Sequence, residues 1–247
     1  MEINISPTKE ETGRAAAGKA AEILRSVLAL KPKVSFVAAT GASQFEFLDS
    51  LCTIRGIDWG RTEMFHLDEY VGLPATHPAS FRHYLLKRLV EKVQPGKVHF
   101  IEGDASDAAA EAERIGRTIS NKVIDVAFIG IGENGHLAFN DPPADFETEK
   151  PYLIVGLDEK CRRQQVGEGW FKSVEEVPRK AITMSIGQIM KAESIVCTCP
   201  DRRKAEAVRD CLSADSPVTL HHPASVLKRH KNVYVFLDRE SASLLRQ

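Results

Sequence analysis

Short apolar runs rich in β-branched residues alternate along this chain with helical patterns, and this alternation limits the folds open to it. The predicted strands span residues 34–39, 63–67, 98–101, 124–129, 152–155, 181–186, 194–199 and 233–237. Amphipathic helices are predicted over residues 10–30, 44–54, 80–93, 108–120, 201–212 and 224–230. Strands and helices that alternate in this way indicate an α/β fold, with a doubly wound, mainly parallel sheet flanked by helices.

Length and composition favour one domain that acts on a small polar molecule. The chain has 247 residues, 43% of them hydrophobic, so it can bury a substantial core. No linker or fixed-period repeat divides it, and we therefore expect a single domain over residues 1–247. The net charge of −1 and the scattered basic residues argue against nucleic acid and against a membrane surface as partners.

The sequence carries no recognisable targeting or metal-binding pattern. No opening run resembles a signal peptide, and no apolar run approaches the ~20 residues that cross a bilayer, so we expect a cytoplasmic protein. Histidine spacing typical of metal ligands is not found. The five cysteines form no C-x-x-C pair, and we expect reduced, structural thiols at Cys52, Cys161, Cys197, Cys199 and Cys211.

Three glycines, Gly130, Gly132 and Gly135, follow the fourth predicted strand with the spacing G-x-G-x-x-G. In dinucleotide-binding proteins this spacing opens a helix whose N-terminus receives the pyrophosphate. Only six residues separate Gly135 from Pro142 and Pro143, and a double proline cannot continue a helix. The segment is therefore interpreted as a functional loop and not as a dinucleotide site.

Residues that directly follow the strands are the first candidates for a binding site, because ligands of open α/β sheets bind beyond the carboxyl ends of the strands. Four segments stand in such positions and carry polar groups. They are Thr40-Gly41-Ala42-Ser43, His66 to Pro74, Gly130 to Asp141, and Pro200 to Lys204.

The first and the last of these segments suit an anion. The small residues from Thr40 to Ser43 let backbone N–H groups at a helix N-terminus approach a phosphate. Alternatively, Ser43 only caps the helix. In the last segment Asp201 is followed by three cations that end at Lys204. Cations at a helix N-terminus are unfavourable because of the helix dipole, and an anionic ligand at that end would explain them. A solvated basic turn is the alternative.

The two middle segments offer groups for proton transfer. Asp68 or Glu69 can serve as a general base if burial raises the pKa of its carboxyl, and because they are adjacent we expect only one to face a ligand. A solvated turn is the alternative. His136 can give and take a proton near neutral pH, with Asp141 or Asn134 orienting its ring. Alternatively, it closes the loop through hydrogen bonds to the backbone.

Together these segments resemble the glucosamine-6-phosphate deaminase/isomerase family, which also includes the 6-phosphogluconolactonases. The resemblance runs in order over nearly the whole chain, through Thr40 to Ser43 as the phosphate loop, Leu67 to Pro74 as the D-E-Y-V-G-L-P motif, His77 to Phe81, Gly132 to Asp141 as the G-x-D-G-H-x-A-F-N-E motif, and Lys204 as the basic phosphate ligand. Within the family, the sequences D-E-Y-V-G-L and H-L-A-F-N look like the deaminase branch.

The resemblance implies a modified Rossmann-like fold and a cofactor-free hydrolase and isomerase of amino-sugar metabolism. Such an enzyme converts glucosamine 6-phosphate to fructose 6-phosphate and ammonia. By this resemblance Asp68 moves the proton between C2 and C1, while His136 assists ring opening beside Asp141 and Asn134. The residues implied for phosphate binding are Thr40, Gly41, Ala42, Ser43, Lys204 and, as the nearest candidate for a further arginine, Arg162. The expected partner is a small sugar phosphate, and a homo-oligomer is possible.

The loop around His136 departs from the family pattern at two positions. Asn134 stands where the family has aspartate, and Asp141 stands where it has glutamate. An amide cannot accept a proton, so the group beside His136 keeps one certain carboxylate, and we expect Glu133 to point elsewhere. These departures leave three alternatives open: 6-phosphogluconolactonase-like activity, galactosamine-6-phosphate isomerase activity, and a catalytically weak sugar-phosphate-binding protein.

Overall fold

The computed structural model describes residues 1–246, and over these residues strands and helices alternate as predicted. The strands are β1 (Glu2–Ser6), β2 (Val34–Ala38), β3 (Thr62–His66), β4 (Asp68–Tyr70), β5 (Lys97–His99), β6 (Val126–Ile129), β7 (Tyr152–Gly156), β8 (Lys180–Met184), β9 (Ser194–Thr198) and β10 (Val233–Asp238). The α-helices are α1 (Lys9–Leu30), α2 (Phe45–Thr53), α3 (Phe81–Leu85), α4 (Glu91–Val93), α5 (Ala108–Ser120), α6 (Glu159–Gly167), α7 (Ile186–Ile189) and α8 (Ala205–Leu212).

Shorter helical turns connect several of these elements. One π-helical turn, Leu86–Val90, joins α3 to α4, so that residues 81–93 continue as one helical segment. Four 3₁₀ segments lie at Ala42–Gln44, Trp59–Arg61, Arg202–Lys204 and Pro223–Arg229. The last of these replaces the amphipathic α-helix that the sequence predicts over residues 224–230.

Seven strands form one parallel sheet in the order β1-β10-β9-β6-β2-β3-β5. The chain runs outward from β2 through β3 to β5 and then returns to β6 on the other side of β2. This reversal is the topological switch point of a doubly wound fold, so the predicted fold class is confirmed. Because β9, β6, β2 and β3 are neighbours and parallel, the segments that follow them meet at one edge of the sheet.

Helices cover both faces of this sheet, and each face has its own apolar core. On one face α1 and α2 pack on alternate strand residues such as Phe36 and Phe128. On the other face α5 and α8 pack on the intervening residues, which include Ala127 and Ile129. Strands buried on both faces explain the almost uninterrupted apolar runs in the sequence.

A second sheet contains three antiparallel strands in the order β4-β8-β7. The sequence predicts β7 and β8 but does not separate them from the parallel sheet. The strand predicted over residues 181–186 also ends earlier, because the Ser185 hydroxyl accepts the Gln188 N–H at 3.1 Å and caps α7. The described part of the chain contains no helix long and apolar enough to cross a membrane.

Besides α7, three elements are absent from the sequence-based prediction, and each has a weak pattern. Strand β1 is a half-exposed edge strand, and β4 has only three residues. Helix α6 has the sequence EKCRRQQVG, in which only Cys161 and Val166 are apolar, so it shows little amphipathic periodicity. In contrast, Cys197 and Cys199 are fully buried side chains of the core, as predicted.

Glu69 ties the second sheet to the start of α3. Its side chain is fully buried, and its carboxylate accepts the Ser80 hydroxyl at 2.8 Å and the N–H groups of Tyr70, Phe81 and Arg82 at 2.9, 3.1 and 2.7 Å. Burial raises the pKa of this carboxyl, although these hydrogen bonds oppose the shift. Glu69 therefore has a structural role and keeps the preceding residue, Asp68, fixed.

We predict that Glu69→Ala lowers the free energy of unfolding by about 2–4 kcal/mol, because it leaves buried donors without an acceptor. Urea denaturation monitored by circular dichroism measures the change. Glu113→Ala is the matched control, since its side chain is 73% exposed and pairs only with Arg117 on the surface of α5. Equal stabilities of the two variants would contradict the role given to Glu69.

Candidate active site

A pocket of about 500 Å³ lies at the edge of the parallel sheet where the strands end. All four segments selected from the sequence contribute to it, together with residues of α6. The residues that line it are Ala39, Thr40, Gly41, Ala42, Ser43, Leu67, Asp68, Phe81, Gly130, Ile131, Gly132, His136, Ala138, Phe139, Gln164, Gln165, Glu168 and Lys204. Its charged and polar groups, which include Asp68, His136 and Lys204, suit a small polar molecule.

The loop from Thr40 to Ser43 forms one side of this pocket. Gly41 has a φ of 93°, a backbone conformation that glycine adopts without strain, and the chain then turns through Ala42–Gln44 into α2. The Tyr84 hydroxyl donates to the Gly41 carbonyl at 3.0 Å and anchors the loop. No side-chain cap from Ser43 is found at the start of α2, so the Ser43 hydroxyl stays available to the pocket.

Gln44 is a buried residue of this region that the sequence analysis did not select. Its Nε2 lies 3.3 Å from the carbonyl oxygens of Ile129 and Thr198, and so it connects the ends of β6 and β9 to the loop. The Ser43 hydroxyl accepts from the same Nε2 at 3.3 Å. A glutamine at the start of an amphipathic helix is common, so no sequence signal indicates this role.

Asp68 is buried at the floor of the pocket, where β3 leads into β4. Its Oδ1 has no hydrogen-bond partner among residues 1–246, whereas Glu69 points to the other side and is fully bonded. Burial, and secondarily the charge of Glu69, raise the pKa of Asp68 well above its ordinary value. The expectation that only one of the two carboxylates faces the pocket is thus met, and Asp68 has the properties of a general base.

His136 lines the pocket and is paired with Asp141. The ring Nδ1 lies 2.9 Å from Asp141 Oδ1, and Asn134 Nδ2 donates to the same oxygen at 2.9 Å. The Asn134 side-chain oxygen in turn accepts the His136 N–H at 3.1 Å. Asp141 thus orients the ring, which is one of the two possibilities that the sequence offered, and Asn134 holds both members of the pair.

The protonation of this pair follows from its hydrogen bonds. Burial disfavours the charged form of Asp141, but hydrogen bonds from His136, Asn134 and the Asp158 N–H outweigh burial and hold its pKa below the ordinary value. The ionised carboxylate accepts the proton on Nδ1, so Nε2 is the ring nitrogen left to exchange protons in the pocket. Glu133 points away and lies 3.5 Å from Arg203, as expected.

The chain after Gly135 forms a tight turn and not the helix of a dinucleotide site. Gly135 has a φ of 84°, and the Asn140 N–H donates to the Leu137 carbonyl at 3.1 Å. The Asn140 side chain then donates to the Leu137 and Met184 carbonyls at 2.8 and 2.9 Å. These bonds fix the loop against β8, and the interpretation as a functional loop agrees with this geometry.

Lys204 is the cation that the last segment presents to the pocket. It is 96% buried at the end of the turn Arg202–Lys204 and lines the same pocket as the loop from Thr40 to Ser43. Arg202 and Arg203 face outward, where they bond to the Ser243 hydroxyl and to Asp201 respectively. One cation of the basic cluster is therefore placed to bind an anion.

Arg162, proposed from the sequence for the phosphate site, is not among the residues that line the pocket. Its guanidinium donates to the Val174 carbonyl on the other side of α6. The pocket side of α6 and the residue beyond it instead carry Gln164, Gln165 and Glu168. Arg162 and Gln164 are two positions apart on α6, and residues at this spacing on a helix point in different directions.

A sequence model of the family described as glucosamine-6-phosphate isomerases/6-phosphogluconolactonase matches residues 7–236. Glucosamine-6-phosphate deaminase of Thermoanaerobacter sp. (strain X514) is 36% identical to this chain, and the alignment covers 99% of this chain and 95% of that protein. Glucosamine-6-phosphate deaminase of Exiguobacterium sibiricum is 37% identical over 84% of this chain and 79% of its own length.

Solved structures give the same result for the fold. A monomeric glucosamine-6-phosphate deaminase superposes with a TM-score of 0.89 at 30% identity, covering 99% of this chain and all of that one. A 6-phosphogluconolactonase from Shewanella baltica has a TM-score of 0.78 at 20% identity, covering 96% and 97% of the two chains. At that identity the second likeness concerns the fold alone.

We predict that Gly132→Ala breaks the hydrogen bond between His136 and Asp141. A Cβ at position 132 would lie 2.1 Å from His136 Nε2, so the ring must leave its place. Proton NMR measures the effect through loss of the downfield Nδ1–H signal of His136. Gly18→Ala is the control, because a Cβ there meets open space. Persistence of the signal in Gly132→Ala would contradict the geometry described for this loop.

Proposed function

The chain belongs to the family of glucosamine-6-phosphate isomerases and 6-phosphogluconolactonases, and we propose that it acts as a glucosamine-6-phosphate deaminase. It converts glucosamine 6-phosphate and water to fructose 6-phosphate and ammonia, a reaction of amino-sugar metabolism. The observation that carries this proposal is the buried, unpartnered Asp68 carboxylate in one pocket with the His136–Asp141 pair. These are the two proton-transfer groups that an aldose-to-ketose isomerisation with ring opening needs.

The phosphate group would bind at the end of the pocket away from Asp68. The N–H groups of the loop from Thr40 to Ser43 and the hydroxyls of those two residues are suitable donors, and Lys204 supplies a positive charge. Binding at this remote end positions the sugar and supplies energy for the chemistry at C1 and C2.

Ring opening would use His136. Its Nε2 takes the proton of the C1 hydroxyl and returns a proton to the ring oxygen, which breaks the bond between C1 and that oxygen and leaves the open-chain aldehyde. During the exchange the imidazolium is stabilised by the Asp141 carboxylate at 2.9 Å. Asn134 keeps that carboxylate in place, so we assign it a positioning role.

Isomerisation would use Asp68. The carboxylate removes the proton from C2 while the substrate's ammonium group gives a proton to the C1 carbonyl oxygen, which yields an enolamine. Asp68 then returns its proton to C1, which yields the protonated imine of the ketose. Water then adds to C2, and the nitrogen leaves as ammonia. A raised pKa makes Asp68 a stronger base than an exposed aspartate, and one carboxylate can reach both carbons because they are adjacent.

The relatives also bear on the alternative activities. The related chains with 33–37% identity are glucosamine-6-phosphate deaminases, whereas the 6-phosphogluconolactonases are 16–20% identical and share the fold. We place the activity in one domain over residues 1–247. We also propose a cytoplasmic location, because a phosphorylated sugar carries charge that disfavours passage through a bilayer.

We predict that the purified protein releases ammonia and fructose 6-phosphate in equal amounts from glucosamine 6-phosphate. Coupled assays with glutamate dehydrogenase and with phosphoglucose isomerase measure the two products separately. Asp68→Asn should lower kcat by about 10²–10⁴-fold, because the amide keeps the shape of the side chain but cannot take the proton.

Several controls define this test. Asp104→Asn is the matched variant, since Asp104 is an exposed aspartate paired with Arg82 outside the pocket. A panel with galactosamine 6-phosphate and 6-phosphogluconolactone examines the alternatives. If neither product forms at high enzyme concentration, the proposal is wrong, and an unchanged kcat in Asp68→Asn excludes Asp68 as the base.

We predict that kcat/KM rises with pH through the pKa of Asp68, because only its ionised form accepts the C2 proton. This rise forms the acid limb of the pH profile, and burial places its pKa above the ordinary aspartate value of 3.8. Asp141 has a lowered pKa and stays ionised across the limb. In Glu69→Gln the limb should move to lower pH, since one of the two causes of the raised pKa is removed. A limb that does not move, measured at a temperature where the variant is folded, would exclude this coupling.

A further inference from the structure

Glu168 brings a negative charge into the end of the pocket that is suited to phosphate. Its Oε2 lies 3.4 Å from the Ala42 N–H, within the loop that leads into α2. The same oxygen accepts the Trp170 indole N–H at 3.2 Å, and Oε1 accepts the Gln164 side chain at 2.8 Å. The mechanism proposed above uses none of these contacts.

The contacts of Trp170 show that Glu168 is held over the loop by packing. The indole ring packs against Phe45 of α2 and Tyr84, with ring centroids 6.1 and 6.0 Å apart. Tyr84 is also the residue whose hydroxyl holds the Gly41 carbonyl. Upstream, Gln165 accepts the Tyr70 hydroxyl at 2.7 Å. Contacts of Gln165 before it and of Trp170 after it in the chain therefore hold Glu168 in place.

A carboxylate and a phosphate monoester seek the same partners in this pocket. Both accept hydrogen bonds from backbone N–H groups at a helix N-terminus, and both are attracted by Lys204. They also repel each other, because the phosphate carries a charge of about −1.5 to −2 at pH 7. The contact to Ala42 is the longest of the three that Glu168 makes, so it is the one most easily exchanged for another acceptor.

We propose that Glu168 is an internal competitor for the phosphate site, whose carboxylate the substrate's phosphate group must displace from the loop at Ala42. Glu168 thereby lowers the affinity for sugar phosphates, and the affinity depends on the charge of the ligand. This inference rests on the proposed function, since it assumes that phosphate binds at this loop. The opposite assignment, in which Glu168 attracts the cationic amino group of the substrate, predicts an opposite effect of removing its charge.

The test compares the wild-type protein with Glu168→Gln, which keeps the shape of the side chain and one accepting oxygen but removes the charge. Inorganic phosphate is the probe, and binding is followed by the fluorescence of Trp170 in a Trp59→Phe background. We expect the phosphate Kd and the KM for glucosamine 6-phosphate to fall at least about fivefold in Glu168→Gln. In the wild type, phosphate should also change the Trp170 emission, because the carboxylate that its indole contacts moves when it leaves the Ala42 N–H.

Two further variants make the outcome decisive. Glu159→Gln removes a charge from the exposed side of α6, where Glu159 pairs with Arg163, and should leave Kd and KM unchanged. Glu168→Ala repeats the test if the glutamine variant does not fold. A phosphate Kd that stays the same or rises in Glu168→Gln overturns the inference. If the wild type binds no phosphate and releases no ammonia, the proposed function itself fails, which is a distinguishable result.

Discussion

The parallel alignment of four neighbouring strands, β9, β6, β2 and β3, is the constraint on which the site depends. Parallel strands deliver their carboxyl ends to one edge, so residues far apart in the chain, from Ser43 to Lys204, line one pocket. The reversal of strand order between β2 and β6 opens the crevice there. There a Cβ on Gly130 would lie 3.0 Å from the Ser43 hydroxyl, so these two loops are in contact.

Strand geometry also divides the tasks of two adjacent acids. Successive side chains of β4 point to opposite faces, and this turns Asp68 toward the pocket and Glu69 toward the start of α3. Glu69 accepts hydrogen bonds from the donors around it, whereas Asp68 keeps an oxygen without a partner. Burial raises the pKa of both carboxyls, and the charge of Glu69 raises that of Asp68 further. A structural acid thus helps to adjust its neighbour for proton transfer.

Most of the fold and much of the site could be predicted because their signals are local. Buried parallel strands have continuous apolar runs, and the rule that ligands bind beyond strand ends selects Asp68, His136 and Lys204 without knowledge of the topology. The contribution of α6 could not be predicted in the same way. Its polar sequence lacks periodicity, and Arg162 follows only from the resemblance to the family. The position of Glu168 at the loop becomes visible only in the structure. The pairing of β4 is likewise a tertiary effect in a three-residue strand.

The two departures from the family pattern near His136 are best understood as one change. Asp141 reaches the ring Nδ1 directly at 2.9 Å, and Asn134 Nδ2 contacts the same carboxylate oxygen at 2.9 Å. An aspartate at position 134 would place a second carboxylate oxygen beside that of Asp141, and their repulsion would raise the pKa of one of them. The amide instead donates a hydrogen bond, which helps to hold the pKa of Asp141 low. The amide at 134 therefore supports, together with His136 itself, the ionised state of the carboxylate at 141, and that state stabilises an imidazolium at His136.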